Sequence, residues 1–229
     1  FKNLSVKYGK DLDYALKNLN VTIHPGEKIG IVGRTGAGKS TLAKAIFRLL
    51  NKNVEGSIEI DGHDTAKFGV GDFRSKLGII PQEATMFTGT VRRNLDPLQE
   101  FTIEDMWAAM IKCGVAELID PERKHDSNFS SGQQQLFSLC RLLMRKRKVL
   151  VLDEATADVD LETDRKMQEL IRSEFSECTV LTIAHRLDTI MSSDRIIVME
   201  KGEIVEIGSP KELIASGGMF AELVKANEF

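Results

Sequence analysis

Cysteine is scarce: Cys113, Cys140 and Cys178 are the chain's 3 cysteines. Their number is odd, their spacings are long and no C-x-x-C pair occurs, which argues against a cysteine metal site. They are expected to be buried or partly buried thiols of a reducing compartment. Long apolar runs are missing too. A bilayer-spanning helix takes about 20 consecutive apolar residues. The best stretches here, such as Val149-Leu150-Val151-Leu152, stop far short of that. The start, Phe1-Lys2-Asn3-Leu4, has neither the apolar run of a signal peptide nor a Met, so the chain reads as a piece of something longer. No charge of one sign prevails: 31 basic residues face 34 acidic ones, for a net charge of −3. A strongly basic nucleic-acid binder is therefore not suggested. There is no internal repeat and no low-complexity stretch. What remains is 229 residues, 42% hydrophobic and 28% charged, the balance of an ordinary folded protein with one large domain or two small ones.

Periodicity orders the chain. Alternation over Leu4-Ser5-Val6-Lys7-Tyr8 and over residues 16–23 predicts two strands joined by a turn at 9–13. His24-Pro25-Gly26-Glu27 is a second turn. Lys28-Ile29-Gly30-Ile31-Val32 has no alternation, as expected of a strand buried on both faces. A glycine-rich loop follows, then a helix with Leu42, Ala45, Ile46, Leu49 and Leu50 on one face. Further strands are expected at 56–60 and 77–80. Helices are expected over 102–118, where Thr102 and Asp105 form a capping signal, and over 132–147 with Ser130 or Ser131 as cap. Strands return at 149–152, 179–183 and 195–199. A helix over 161–175, capped by Asp160, lies between the first two. A hairpin turn at Lys201-Gly202 precedes a closing helix over 210–226. Alternating strands and helices, interrupted by a helical block at about 83–147, predict an α/β core with an inserted helical subdomain.

The sharpest chemical signal is Gly33-Arg34-Thr35-Gly36-Ala37-Gly38-Lys39-Ser40, which matches G-x-x-x-x-G-K-[ST] between an apolar strand and an amphipathic helix. The glycines let the backbone curl so that successive N–H groups face a phosphate, and the helix adds its positive end. Lys39 reaches the β- and γ-phosphates, and the Ser40 hydroxyl is placed to ligate Mg²⁺. The second signal is Val149-Leu150-Val151-Leu152-Asp153-Glu154. A buried strand ends in two carboxylates: Asp153 suits a metal-holding role, and Glu154, on the opposite side, suits proton acceptance from an attacking water. Weaker features take their meaning from these two. Gln82 follows a strand, Ser130-Ser131-Gly132-Gln133 opens a helix, His185 follows another strand, and the Tyr8 ring is available to stack on a purine.

A P-loop, a glutamine, a Ser-Gly-Gln helix start, an apolar strand ending in Asp-Glu and a histidine, in that order, resemble the nucleotide-binding domain of ABC transporters over essentially the whole chain. The resemblance implies a P-loop NTPase (RecA-like) α/β core with an N-terminal antiparallel β-subdomain and an inserted α-helical subdomain. It divides a single domain into a core at 1–82 and 148–229 and a helical part at 83–147. Residues 33–40, with Thr41, look like Walker A, Gln82 like the Q-loop glutamine, and Phe129-Ser130-Ser131-Gly132-Gln133 like the signature motif. Asp153 ends Walker B, Glu154 resembles the catalytic glutamate and His185 the switch histidine. Ala157-Asp158-Val159-Asp160 looks like the D-loop, and Tyr8 takes the place of the A-loop aromatic in preference to Tyr14. ATP and Mg²⁺ are the implied ligands, the metal held by Ser40, Gln82 and Asp153. The implied partners are a second nucleotide-binding domain, paired head to tail within the same chain, and transmembrane domains that put this domain at the cytoplasmic face of a membrane. No nucleic-acid partner is implied, and no heptad run separates the Walker motifs as it does in chromosome-acting relatives.

Finer features resemble subfamily C, the multidrug-resistance-protein type: Gly89-Thr90-Val91-Arg92-Arg93-Asn94-Leu95-Asp96-Pro97, Asn128-Phe129-Ser130 and Ile183-Ala184-His185-Arg186. Glu154 together with the altered signature looks like the second of that subfamily's two unequal domains. The implied function is ATP hydrolysis driving export of small molecules or organic anions; an ATP-gated regulatory role, as in the subfamily's channel and receptors, is the alternative. Two departures stand out. Ser131 replaces the first signature glycine, which implies a weakened site in the partner domain. Between Leu118 and Asn128 the chain is shorter than the family pattern, through a true deletion or an omitted insertion. The basic cluster Arg145-Lys146-Arg147-Lys148 is expected to offset the negative end of the preceding helix.

Overall fold

In a computed structural model, residues 1–50, 53–116, 129–153, 155, 159–184 and 186–227 are described. The chain forms two compact units. One comprises Phe1–Gly78, Lys148–Asp153 and Cys178–Phe229, the other Ile79–Arg147 and Glu154–Glu177.

The first unit begins with an antiparallel sheet of β1 (Lys2–Lys7), β2 (Tyr14–Leu19) and β4 (Val54–Ser57), in the order β2-β1-β4. Leu4 and Val6 turn inward, as the alternation predicts. Leu16 and Leu19, three residues apart, are both buried opposite Val6 and Leu4 because the register shifts between those pairs, where Asn18 adopts φ 48°. The chain's larger sheet contains β3 (Lys28–Val32), β7 (Leu77–Ile80), β8 (Val149–Asp153), β9 (Thr179–Ile183), β10 (Arg195–Glu200) and β11 (Glu203–Gly208), in the order β11-β10-β3-β9-β8-β7. Strands β10, β3, β9 and β8 run parallel, and β11 pairs antiparallel with β10.

The middle strands read as apolar runs because both of their faces are covered. On β3, Ile29 and Ile31 pack against Leu42, Ala43, Ala45 and Ile46 of α1 (Lys39–Ile46). Val32 faces the opposite core with Ile190, Leu213 and Phe220. Strand β10 divides the same way: Ile197 and Met199 join the first core, Ile196 and Val198 the second. Each such side chain contributes about 1.5–3 kcal/mol when fully buried.

Several boundaries differ from expectation. Helix α1 stops at Ile46, and Leu49 is exposed instead of continuing the apolar face. Arg48 adopts φ 51°, and Arg74 donates to the Phe47 and Arg48 carbonyls that the ended helix leaves over. The strand expected over 56–60 is divided at Ile58. Its first part, β4, pairs with β1, and its second, β5 (Glu59–Ile60), pairs with β6 (His63–Asp64). The closing helix is two helices, α7 (Pro210–Ser216) and α8 (Met219–Asn227). Gly217 takes a left-handed cap between them, and Glu206 accepts hydrogen bonds from the Met219 and Phe220 amides at the new helix start. The short helix α2 (Val70–Arg74) and strand β6 were not expected from periodicity, whereas β11 is the second arm of the expected hairpin turn at Lys201-Gly202.

The second unit is helical: α3 (Val91–Leu95), α4 (Ile103–Cys113), α5 (Ser131–Arg145) and α6 (Leu161–Glu174). Short α3 was also unforeseen. Thr102 and Asp105 form the expected capping box, and Met106, Ala109, Met110 and Cys113 form the expected buried face. The helix ends earlier than expected because Gly114 adopts a left-handed cap. Cys140 on α5 donates weakly to the Ala109 carbonyl. Hydrogen bonding with Cys113 and burial push its pKa up, so it is held as a thiol. Arg145 pairs with Glu100 at 3.0 Å and lies near buried Asp96, so this member of the basic cluster is tied to acidic side chains. Among the described residues no helix is long and apolar enough to cross a membrane.

Candidate functional site

In the first unit the phosphate loop grows directly out of β3, which parallel neighbours hold on both sides. Where the strand ends, the backbone turns through conformations that side chains disfavour. Gly33 has φ +154°, and a Cβ there would lie 2.2 Å from the Met199 carbonyl oxygen. Gly38, at the start of α1, has φ +107°, and its Cβ would meet the Ala15 carbonyl at 2.9 Å. Neither position has room for a side chain. The loop is also braced from outside, because Gly202 donates to the Ala37 carbonyl and Lys17 to the Gly202 carbonyl.

The loop is built to receive an anion. No side chain caps the N-terminus of α1, and its first turn carries no acidic residue. The amides and the positive helix end are left for a ligand. Lys39 is buried, and its Nζ donates to the Gly33 carbonyl at 2.7 Å, so the ammonium is folded across the loop. Arg34, Thr35 and Gly36 form its exposed rim, Ala37 is buried, and Ser40 is exposed on the first helical turn. Thr41 is buried and shares a hydrogen bond of 3.1 Å with the Tyr8 hydroxyl. The Tyr8 ring is thereby tied to the helix that follows the loop, with 51% of the residue exposed and the Lys44 Nζ 5.9 Å from the ring centre. Tyr14 is committed elsewhere. Its hydroxyl donates to Glu55, which raises its pKa, and Lys7 lies over its ring at 4.2 Å.

Asp153 ends β8 beside Ile183 of β9, and β9 is in turn the neighbour of β3. With strands about 4.8 Å apart, the strand that carries Asp153 lies about 10 Å from the one that feeds the phosphate loop. Glu154 and His185 follow β8 and the end of β9 in sequence but lie outside the described residues, as do Ala157, Asp158 and the segment 117–128.

The second unit holds the other motifs. Ser130 caps α5: its hydroxyl accepts from the Gln133 amide, and the Gln133 side chain accepts from the Ser130 amide. Gln134 donates to the Phe129 carbonyl, and the Phe129 ring packs 5.1 Å from that of Phe137. Ser131 is exposed, whereas Gly132 is buried. A Cβ on Gly132 would touch Thr163, Val159 and Asp160 at 3.2–3.4 Å. Asp160 caps α6 through the Thr163 amide, and that backbone hydrogen bond lowers the pKa of its carboxyl group. Gln82 is exposed just past β7, and a cavity of about 230 Å³ is lined by Gln82, Glu83, Ser131, Gln134 and Gln135 among others.

Two residues of this unit, Gln135 and Arg141, escaped the sequence reading, and the part played by Asn94 within its motif was not read. Gln135, 3% exposed, donates to the carbonyls of Pro81 and Gln82. Arg141 donates to the carbonyls of Thr85 and Asn94. Asn94 is buried and pairs with both backbone groups of Phe87. A signal for Gln135 was present, since it shares a helical face with Leu139 and Leu142, an apolar stripe where a polar residue needs a reason.

Comparison with known proteins agrees with this geometry. A family model described as ABC transporter matches residues 16–157. The chain is 48% identical over 98% of its length to ATP-binding cassette sub-family C member 2 of Rattus norvegicus. It is likewise 48% identical over 98% to the vacuolar heme ABC transmembrane exporter abc3 of Schizosaccharomyces pombe. It spans only 15% and 16% of those two proteins. A bacterial Atm1-family ABC exporter solved with ATP bound superposes on the whole chain with a TM-score of 0.92 at 30% identity, the match covering 42% of that protein. A phosphate loop fed by a buried parallel strand, a family match over more than half of the chain and such relatives along nearly all of it lead to one assignment: the chain belongs to the ABC transporter family.

Proposed function

We propose that this domain binds and hydrolyses ATP as one half of a head-to-tail pair, and that the cycle drives export of small molecules or organic anions through transmembrane domains. The observation that carries the reading is the buried Lys39, folded across a loop in which Gly33 and Gly38 have no room for side chains. The uncapped start of α1 and Lys39 would take the β- and γ-phosphates. Tyr8, tethered to Thr41, would stack on the base; Tyr14, engaged with Glu55, would not. The exposed Ser40 hydroxyl and the Asp153 carboxylate are hard oxygen donors, which fit Mg²⁺, and Gln82 would complete that set. Bound there, Mg²⁺ would neutralise charge on the phosphate oxygens. Glu154 would accept the proton of the attacking water and His185 would contact the γ-phosphate.

Ser130, Ser131, Gly132 and Gln133 would serve the nucleotide held by the partner domain, with Asp160 beside them. Serine in place of the first signature glycine supports the second-domain assignment, in which this signature serves the weaker site. The matched relatives are named as an exporter and as sub-family C members, which favours transport over gating and supports a position at the cytoplasmic face of a membrane.

The test uses the full-length protein. Lys39→Ala is expected to remove ATP from this domain's own site, so that bound ATP falls by about half while the partner domain's site is kept. Glu154→Gln is expected to retain ATP binding and lower turnover by about 10²–10⁴-fold. Unchanged binding in a folded Lys39→Ala variant would remove the assignment of the phosphate loop. Full turnover in Glu154→Gln would show that hydrolysis needs another base or occurs at the other site.

A further inference from the structure

We infer that Gln135 is a positioning residue for Gln82, tying the turn after β7 to the helix that carries the signature. The inference rests on the ATP-binding reading above and extends it to a residue outside the recognised motifs.

The side chain is buried, and its amide nitrogen donates to two successive carbonyls, Pro81 at 3.0 Å and Gln82 at 2.8 Å. In an extended strand successive carbonyls point to opposite sides. One amide group can reach both only where the strand has ended and the chain bends, so Gln135 fixes the shape of that bend. Pro81 lacks an N–H and cannot extend the ladder. The two acceptors also fix which end of the carboxamide is the nitrogen.

Its other end argues against a purely structural role. The Gln135 Oε1 is buried and has no hydrogen-bond partner among the described residues. A buried, unmatched acceptor costs stability, and Leu or Met would fill the same place on the apolar face of α5 without it. What those residues lack is the pair of donors. The Gln82 side chain is exposed, and its backbone carbonyl is held by this amide. The same cavity wall carries Gln82, Gln135 and Ser131. Gln135 thus holds the residue proposed to complete the metal site from a helix whose first turn bears the signature.

The experiment compares Gln135→Leu, Gln135→Met and Gln82→Ala in the full-length protein, with Lys39→Ala as control. Without nucleotide, amide exchange over residues 82–88 is expected to quicken by about tenfold or more in Gln135→Leu, with the melting temperature little changed. Turnover is expected to fall by about 3- to 30-fold and the Mg²⁺ concentration for half-maximal rate to rise. The double variant Gln82→Ala/Gln135→Leu is expected to be no slower than Gln82→Ala alone, because one residue acts through the other. Unchanged exchange and Mg²⁺ dependence, or losses that multiply in the double variant, would overturn the proposal. Failure of both Leu and Met variants to fold would overturn it as well, by making the residue structural. If Lys39→Ala binds ATP like the wild type, the ATP reading fails and this inference with it. If Lys39→Ala loses ATP from this site while Gln135→Leu is neutral, this inference alone fails.

Discussion

The two compact units build their sites from different material. The first uses backbone: glycines that exclude side chains, amides at an uncapped helix start, and a lysine that bonds to the loop's own carbonyl. The second uses long polar side chains that reach across to carbonyls. Gln135 holds Pro81 and Gln82, Arg141 holds Thr85 and Asn94, and Asn94 holds Phe87. The difference teaches what each is fitted for. A backbone cradle is rigid and rebuilds itself wherever the local sequence recurs. A set of side-chain ties can be changed one at a time.

Mutations should separate the two designs, and the largest effect is expected in the backbone cradle. Gly33→Ala would place a Cβ against the Met199 carbonyl at 2.2 Å in a disfavoured conformation. A loss of about 3 kcal/mol or more is expected, together with loss of ATP binding. Denaturant unfolding and nucleotide titration would check it, and a stable, ATP-binding variant would refute the rigid-cradle account.

Next comes a side-chain tie. Arg141→Leu would leave the Thr85 and Asn94 carbonyls without their charged donor, a loss of about 2–3 kcal/mol. Proteolysis should then cut first within residues 83–95. Cleavage confined to the first unit would contradict the assignment of these bonds to the second.

A smaller effect is pH-dependent. Arg195 donates to Glu27 through two nitrogens, and the His24 amide adds a bond at 2.7 Å. The Arg195 bond leads in lowering the Glu27 pKa below its ordinary 4.5. A lowered carboxylate pKa gives stability that is fully present above the ordinary value and lost as pH falls through the folded value. Glu27→Gln should therefore cost about 1–2 kcal/mol at neutral pH and flatten the acid limb below the ordinary glutamate range. An unchanged acid limb would assign the slope to other carboxylates.

The smallest effect is expected at Gly132→Ala. Its Cβ would meet Thr163, Val159 and Asp160 at 3.2–3.4 Å, a contact those side chains can relieve. Alanine also favours the helix, so the stability change should stay within about 1 kcal/mol. A loss as large as that of Gly33→Ala would erase the distinction between the two units.

Legibility in the sequence followed the same division. The phosphate loop, the apolar strands around it, the capping box of α4 and a serine cap on α5 were readable because each depends on neighbours within a few residues. The choice of Tyr8 over Tyr14 was carried by family likeness; the Tyr8–Thr41 and Tyr14–Glu55 hydrogen bonds on which the proposed reading draws were not legible in the sequence. Boundaries were less readable. Leu49 and Leu50 continue the period of α1, yet the helix ends before them, because Arg74 from a later helix takes the Phe47 and Arg48 carbonyls. The closing helix broke at Gly217 and Gly218, where Glu206 from β11 supplies the second start.

The sequence by itself determined the phosphate loop, the two-sided burial of the central strands and the order of the motifs, since glycine spacing, apolar runs and caps act over short distances. Only the tertiary structure decided which strands lie beside β3, where Tyr8 is tethered and how Gln135 holds Gln82. Those depend on pairs such as Tyr8 with Thr41, 33 residues apart, or Gln135 with Gln82, 53 apart. No local propensity encodes such pairs; they exist only once folding has closed the intervening loops.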